Sequence, residues 1–165
     1  MTERAVSADP TCLFGGLVQR EREVSVVLED ERTSVFMDIR PVVQGRLLVV
    51  PRAHAASLAD LDPEDGAQLI RAGRLAAAAL RASTFRCEGV NLFLADGEDA
   101  GQDVFHVHLH VIPRHRGDGF GCRLPADYSV RPRGELQEAA ASLRRAWPPD
   151  GAAGAHQKST ESNSS

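Results

Sequence analysis

His106, His108 and His110 occupy every second position of a short apolar run, His106-Val107-His108-Leu109-His110-Val111-Ile112. With an ordinary pKa of about 6.5, imidazole is both a nucleophile and a proton carrier at neutral pH. Two chemistries use such a row. Ring nitrogens can hold zinc, iron or copper. Alternatively, one neutral ring attacks phosphorus while its neighbours handle protons and charge. The flanks favour the second. Gly101-Gln102 places an amide donor just before the run, and Arg114 and Arg116 follow it. No carboxylate is evidently placed to complete a metal shell.

Alternation along a strand puts the three histidines on one face. Val107, Leu109 and Val111 then share the opposite face and are free to pack on a helix. The elements that must carry this strand are legible too. Val24 to Leu28 and Thr33 to Ile39 read as a hairpin turning at Asp30-Glu31. Leu47 to Val50 is an apolar strand stopped by Pro51. Asp62 caps a helix that has Pro63 at its first position and Glu64 and Asp65 in its first turn. Leu69, Ala72, Ala76 and Leu80 form its buried stripe. Val90 to Leu94 and Val104 to Ile112 are the last two strands, and a short helix is expected within 134–147. The order predicts an α+β domain, a five-stranded antiparallel sheet with a packed helix.

The chain has 165 residues and a formal net charge of −4, which fits one domain and offers no basic stripe for nucleic acid. Residues 1–10 read as a flexible N-terminus, 11–147 as the catalytic domain and 148–165 as a disordered tail. Cys12, Cys87 and Cys122 are odd in number and widely spaced, which implies no disulfide framework. No stretch is apolar enough to span a membrane and the first ten residues lack a signal-peptide core, so a cytoplasmic location is expected.

The histidine run, with Gly101-Gln102 before it and Pro113-Arg114 and Gly117-Asp118-Gly119-Phe120 after it, resembles the histidine triad (HIT) family. Cys12-Leu13-Phe14, Phe36-Met37-Asp38-Ile39-Arg40-Pro41 and Leu47-Leu48-Val49-Val50-Pro51-Arg52-Ala53-His54 extend the resemblance upstream, so that it covers about residues 11–121.

The resemblance implies a nucleotide hydrolase or nucleotidyl transferase that acts at the α-phosphate and forms a homodimer with a shared sheet. His108 would be the nucleophile. His110 would contact the phosphate and His106 would support the site. Gln102 would bind phosphate, Asp38 the ribose hydroxyls, and Phe14, Phe36 and Ile39 the base. Dinucleoside polyphosphates, nucleoside phosphoramidates (a phosphoramidase activity) and nucleotide sugars are the substrate classes. No cofactor and no metal are expected.

Three departures qualify this expectation. Relatives often carry asparagine in the loop before the triad, where Ala95 stands here; Asn91 is the candidate to serve in its place. Many bacterial relatives open with Cys-x-x-Cys as part of a zinc site. Here Cys12 is followed by Gly15, which leaves Cys12, His54 and His106 as three of four ligands. Asp103 adds an acidic group where relatives carry a hydroxyl. Two alternatives therefore stand beside the enzyme: a nucleotide-binding module with little turnover, and a metal-dependent enzyme using the three histidines.

Overall fold

The computed structural model describes residues 12–19, 21–121 and 124–149. The expected flexible N-terminus 1–10, Cys122 and nearly all of the expected tail lie outside them. Contacts divide the chain into two compact units, Met1–Phe120 and Gly121–Ser165. The sequence alone placed one domain through residue 147. The triad belongs to the first unit. The second contains a helix, Arg133–Ala146.

In the first unit, a short helix α1 (Leu13–Val18) precedes strands β1 (Val26–Glu29), β2 (Thr33–Met37) and β3 (Leu47–Pro51). Helix α2 (Pro63–Ala82), strand β4 (Gly89–Phe93), a 3₁₀ turn at Glu98–Ala100 and strand β5 (Leu109–Arg114) follow. The five strands form one antiparallel sheet, as expected, and its order is β1-β2-β3-β5-β4.

Local chemistry explains the ends of these elements. The Asp30 carboxylate accepts from the backbone N–H groups of Arg32 at 2.8 Å and Thr33 at 2.7 Å, which closes the β1–β2 turn. Asp62 accepts from Glu64 N–H at 2.9 Å and caps α2, a contact worth about 1 kcal/mol. Within that first turn the buried Asp65 pairs with Arg32.

The sheet has two unlike faces. Val35, Leu47, Val49, Leu109 and Val111 pack against Leu69, Ala72, Ala76 and Leu80 of α2. Gly73 makes this approach possible, because a Cβ there would lie 2.9 Å from a Leu109 methyl. On the opposite face Phe36, Leu48 and Val50 pack under α1 with Cys12, Phe14 and Val18. With both faces occupied, a one-residue slip would turn each buried side chain to the wrong side, so register is strongly fixed. Among the described residues, no helix is long and apolar enough to cross a membrane.

Two elements differ from the sequence reading. The last strand starts at Leu109 rather than Val104. Residues before it leave the ladder, and Val107 N–H instead donates to the Ala55 carbonyl at 2.7 Å. Helix α1 was not expected, since Gly15 and Gly16 disfavour helix. Burial of Phe14 and Val18 overrides that propensity.

Candidate functional site

Register assembles the site on the α1 face. Phe36 pairs with Leu48, Leu48 with His110, and His110 with Phe93, one row across β2, β3, β5 and β4. Phe93 lies stacked on the His110 ring, with centroids 5.9 Å apart. His108 comes next along the chain, and its ring meets Phe14 edge-on at 4.8 Å and His110 edge-on at 4.7 Å. All three histidines are buried, at 0%, 5% and 8% exposure for His106, His108 and His110.

Hydrogen bonds to backbone carbonyls fix the His106 and His108 rings. His108 Nδ1 lies 2.8 Å from the His106 carbonyl. A carbonyl only accepts, so Nδ1 carries the proton and Nε2 keeps the lone pair. His106 Nε2 donates to the Pro51 carbonyl at 2.9 Å by the same logic, which leaves its Nδ1 as an acceptor. His110 Nδ1 lies 2.7 Å from Arg46 Nη2. Arg46 Nη2 is also 3.3 Å from His110 Nε2, so the guanidinium lies against the ring and contacts both of its nitrogens.

Burial keeps these rings uncharged. It lowers the His106 pKa to about 4, with His54 and His108 opposing charge further. It lowers the His110 pKa to about 3, helped by Arg46 and His108. His108 is lowered too, chiefly by burial and then by Arg46, against the opposite pull of its bond to His106 and of Asp103 and Asp38.

Arg46 is a site residue that the sequence reading did not single out. It stands one residue before β3, and Asp38 N–H donates to its carbonyl at 3.1 Å, extending the β2–β3 pairing. Arg46 therefore shares the face of Leu48 and lies diagonal to His110. Its Nε approaches Asp38 Oδ2 at 3.1 Å. That N–H has no hydrogen-bond acceptor, so the contact is ionic without being a directed bond. Parity along 46–50 was the one available signal.

The other expected residues divide into two groups. Phe14, Phe36 and Asp38 are brought to the triad; Phe14 and Phe36 also touch each other, with centroids 5.9 Å apart. Ile39 lies beyond Asp38 and is 89% exposed. Gln102 is buried, and its amide is engaged at both ends. It accepts from Gly97 N–H at 2.7 Å and donates to the carbonyls of Ala56 at 2.8 Å and Val104 at 3.2 Å. Its side chain thus shapes the loop that leads into the triad. Asn91 is bonded to Arg114, which also holds Asp118 and Phe120 at the far end of β5.

A second constellation lies beneath the triad. Cys12 Sγ is 3.3 Å and His54 Nδ1 is 3.4 Å from His106 Nδ1. Among the described residues, these three form the grouping that could hold a metal ion, with ligand atoms all within 4.8 Å. The grouping takes in His106 alone of the triad, so the geometry does not favour three triad histidines as joint ligands. The donor set, one thiol and two imidazoles, suits zinc. Among the described residues no fourth ligand joins them, and Gly15 presents only its backbone N–H, which donates to Cys12 Sγ at 3.3 Å.

A family model described as HIT domain matches residues 19–117. The chain belongs to the HIT family. An uncharacterized HIT-like protein of Borreliella burgdorferi is 37% identical over 111 residues, covering 67% of this chain and 80% of that protein. A zinc-bound histidine triad family protein from Mycobacterium smegmatis superposes with a TM-score of 0.65 at 36% identity, covering 82% of this chain and 97% of that one. A histidine triad nucleotide-binding protein from Candida albicans gives a TM-score of 0.73 at 25% identity, with 82% and 96% covered.

Proposed function

We propose that this HIT protein is a nucleotide hydrolase or nucleotidyl transferase working at the α-phosphate. The observation that carries this reading is the 2.8 Å bond from His108 Nδ1 to the His106 carbonyl. It leaves Nε2 as a lone-pair donor on a ring that burial keeps neutral. Such a nitrogen is a ready nucleophile for phosphorus.

In the first step His108 Nε2 bonds to the α-phosphorus and the bond from phosphorus to the leaving group breaks. The leaving group departs with the electron pair and takes a proton from its surroundings. The product is a nucleotidyl-histidine. In the second step water, or another acceptor, bonds to phosphorus, the P–N bond breaks, and the acceptor's proton is released. His110 contacts a phosphate oxygen, and the Arg46 guanidinium beside it faces the charge that develops there. Asp38 receives the ribose hydroxyls, and Phe14, Phe36 and Ile39 flank the base. Dinucleoside polyphosphates, nucleoside phosphoramidates and nucleotide sugars are the substrate classes. The nucleotide-binding relative in Candida albicans supports nucleotide as the ligand.

Zinc, where bound, would be held by Cys12, His54 and His106 and would supply a structural clamp between α1 and the triad. The proposal also includes a cytoplasmic location and a homodimer joined through the exposed sheet edge at β4, where Leu92 and Phe93 are 45% and 46% exposed. Light scattering that gave a monomer at all concentrations would remove the dimer.

The test of catalysis is intact-mass spectrometry after brief cold mixing with adenosine and guanosine phosphoramidates, dinucleotides and nucleotide sugars. A transient nucleotidyl adduct is expected on wild type and absent from His108→Ala. The engaged Gln102 amide favours a second reading, a module that binds nucleotide without turning it over. Nucleotide binding with neither adduct nor product would establish that reading instead.

A further inference from the structure

A phosphate entering this site meets three buried imidazoles, and burial disfavours charge on all of them. An anion in a water-poor cleft needs a cation close by. Arg32, Arg52 and Arg114 are occupied elsewhere, on Asp65, Glu29 and Asp118. Among the described residues, Arg46 is the arginine that touches the triad.

Its place is informative. Nη2 lies 2.7 Å from His110 Nδ1 and Nε 3.1 Å from Asp38 Oδ2, so the guanidinium spans the proposed ribose and phosphate positions. In a nucleotide the α-phosphate is joined directly to the ribose, so one side chain that reaches both positions can contact it. The fork is also underused. The buried Nε–H has no hydrogen-bond acceptor, and Nη1 has none among the described residues. A mostly buried guanidinium with unused donors suits an oxyanion, for which its planar fork is shaped.

We propose that Arg46 is a catalytic residue, a clamp for one non-bridging oxygen of the α-phosphate, which makes the site selective for substrates whose α-phosphate is anionic. This rests on the nucleotidyl reading above. Because Arg46 approaches from one side, it engages one of two stereochemically distinct oxygens. The His110 ring, against which Arg46 Nη2 lies, faces the same phosphate.

Two measurements test the assignment. The first compares binding of adenosine 5′-monophosphate and adenosine, by ligand-observed NMR, to wild type, Arg46→Gln and Arg46→Lys. Loss of a charge-assisted hydrogen bond should weaken the monophosphate at least about tenfold in Arg46→Gln. Adenosine should change far less, and Arg46→Lys should recover part of the loss. The second follows the two diastereomers of an adenosine 5′-α-thiophosphoramidate. Wild type should prefer one, and Arg46→Gln should bring the ratio toward unity.

Equal weakening of monophosphate and adenosine would show that Arg46 only holds Asp38, and would overturn the clamp. So would an unchanged diastereomer ratio in the turnover of Arg46→Gln. If Arg46→Gln fails to fold, Arg46→Lys reads both arms; wild-type values throughout would overturn the proposal, because a lysine cannot reproduce the fork. A wild type that binds the monophosphate but turns over no substrate would remove the enzyme reading and leave the clamp to be judged on binding. A wild type that binds neither ligand would remove both.

Discussion

The Nδ1 atom of His108 lies 2.8 Å from the backbone carbonyl of His106, so the nucleophile is oriented by main chain and not by its neighbour's ring. Any residue at 106 supplies that carbonyl. His106→Asn should therefore leave the His108 tautomer intact and forfeit the buried bond to Pro51. Its kcat/KM should fall by less than about a hundredfold, the scale of one buried hydrogen bond. His108→Ala should lose several orders of magnitude while remaining folded. Parallel steady-state kinetics decide it, and equal losses in the two variants would contradict the assignment.

His110 gives a pH signature. Its pKa is lowered from 6.5 to about 3 by burial first, then by Arg46 and His108. The charged and titratable groups acting on it are Arg46 and His108. Between pH 6.5 and 3 the unfolded chain binds a proton at this position that the folded chain refuses. Stability from this group is thus intact above pH 6.5 and declines as pH falls through that window. Denaturant midpoints should drop from pH 8 to pH 5, and the drop should be smaller in His110→Gln. An identical drop in the variant would assign the effect to other groups.

Gly45 presents Arg46 to the site. Its φ is +94°, and a Cβ there would stand 2.9 Å from the Phe85 ring. Gly45→Ala must strain the backbone or displace the ring, at a cost of about 1–3 kcal/mol. The variant should also lose turnover, because Arg46 shifts with the loop. Chemical denaturation together with kinetics checks both, and wild-type stability would show that the loop relaxes freely.

Among the described residues, the cluster of Cys12, His54 and His106 has no fourth ligand to close a zinc site. Untagged protein should therefore carry less than stoichiometric zinc and keep its melting temperature when chelator is added. Elemental analysis and a thermal melt test this. One tightly held zinc per chain, with a large drop on chelation, would mean that another group completes the shell.

Short-range chemistry made much of this protein legible from its sequence. Alternation at 106–111 marked the histidine face, and Asp62, Pro63 and the first-turn acids marked α2. These signals act within a few residues, so they survive without knowledge of the fold. Motif resemblance brought Asp38, Phe14 and Phe36 to the same site. Helix α1 escaped because its glycines argue locally against helix and only burial of Phe14 and Val18 reverses the balance.

The tertiary structure alone decided who meets whom across the sheet. Arg46 reaches His110 because β3 and β5 pair Leu48 with His110. Gln102 is engaged because its loop folds back on Gly97 and on the carbonyl of Ala56. Cys12, His54 and His106 converge from three separate segments. The sequence determined the reactive side chains and their alternation with Val107, Leu109 and Val111, which join the α2 core although β5 itself begins at Leu109. Register determined the charge, the tautomers and the partners of those side chains, because it is fixed by burying both faces of the sheet at once.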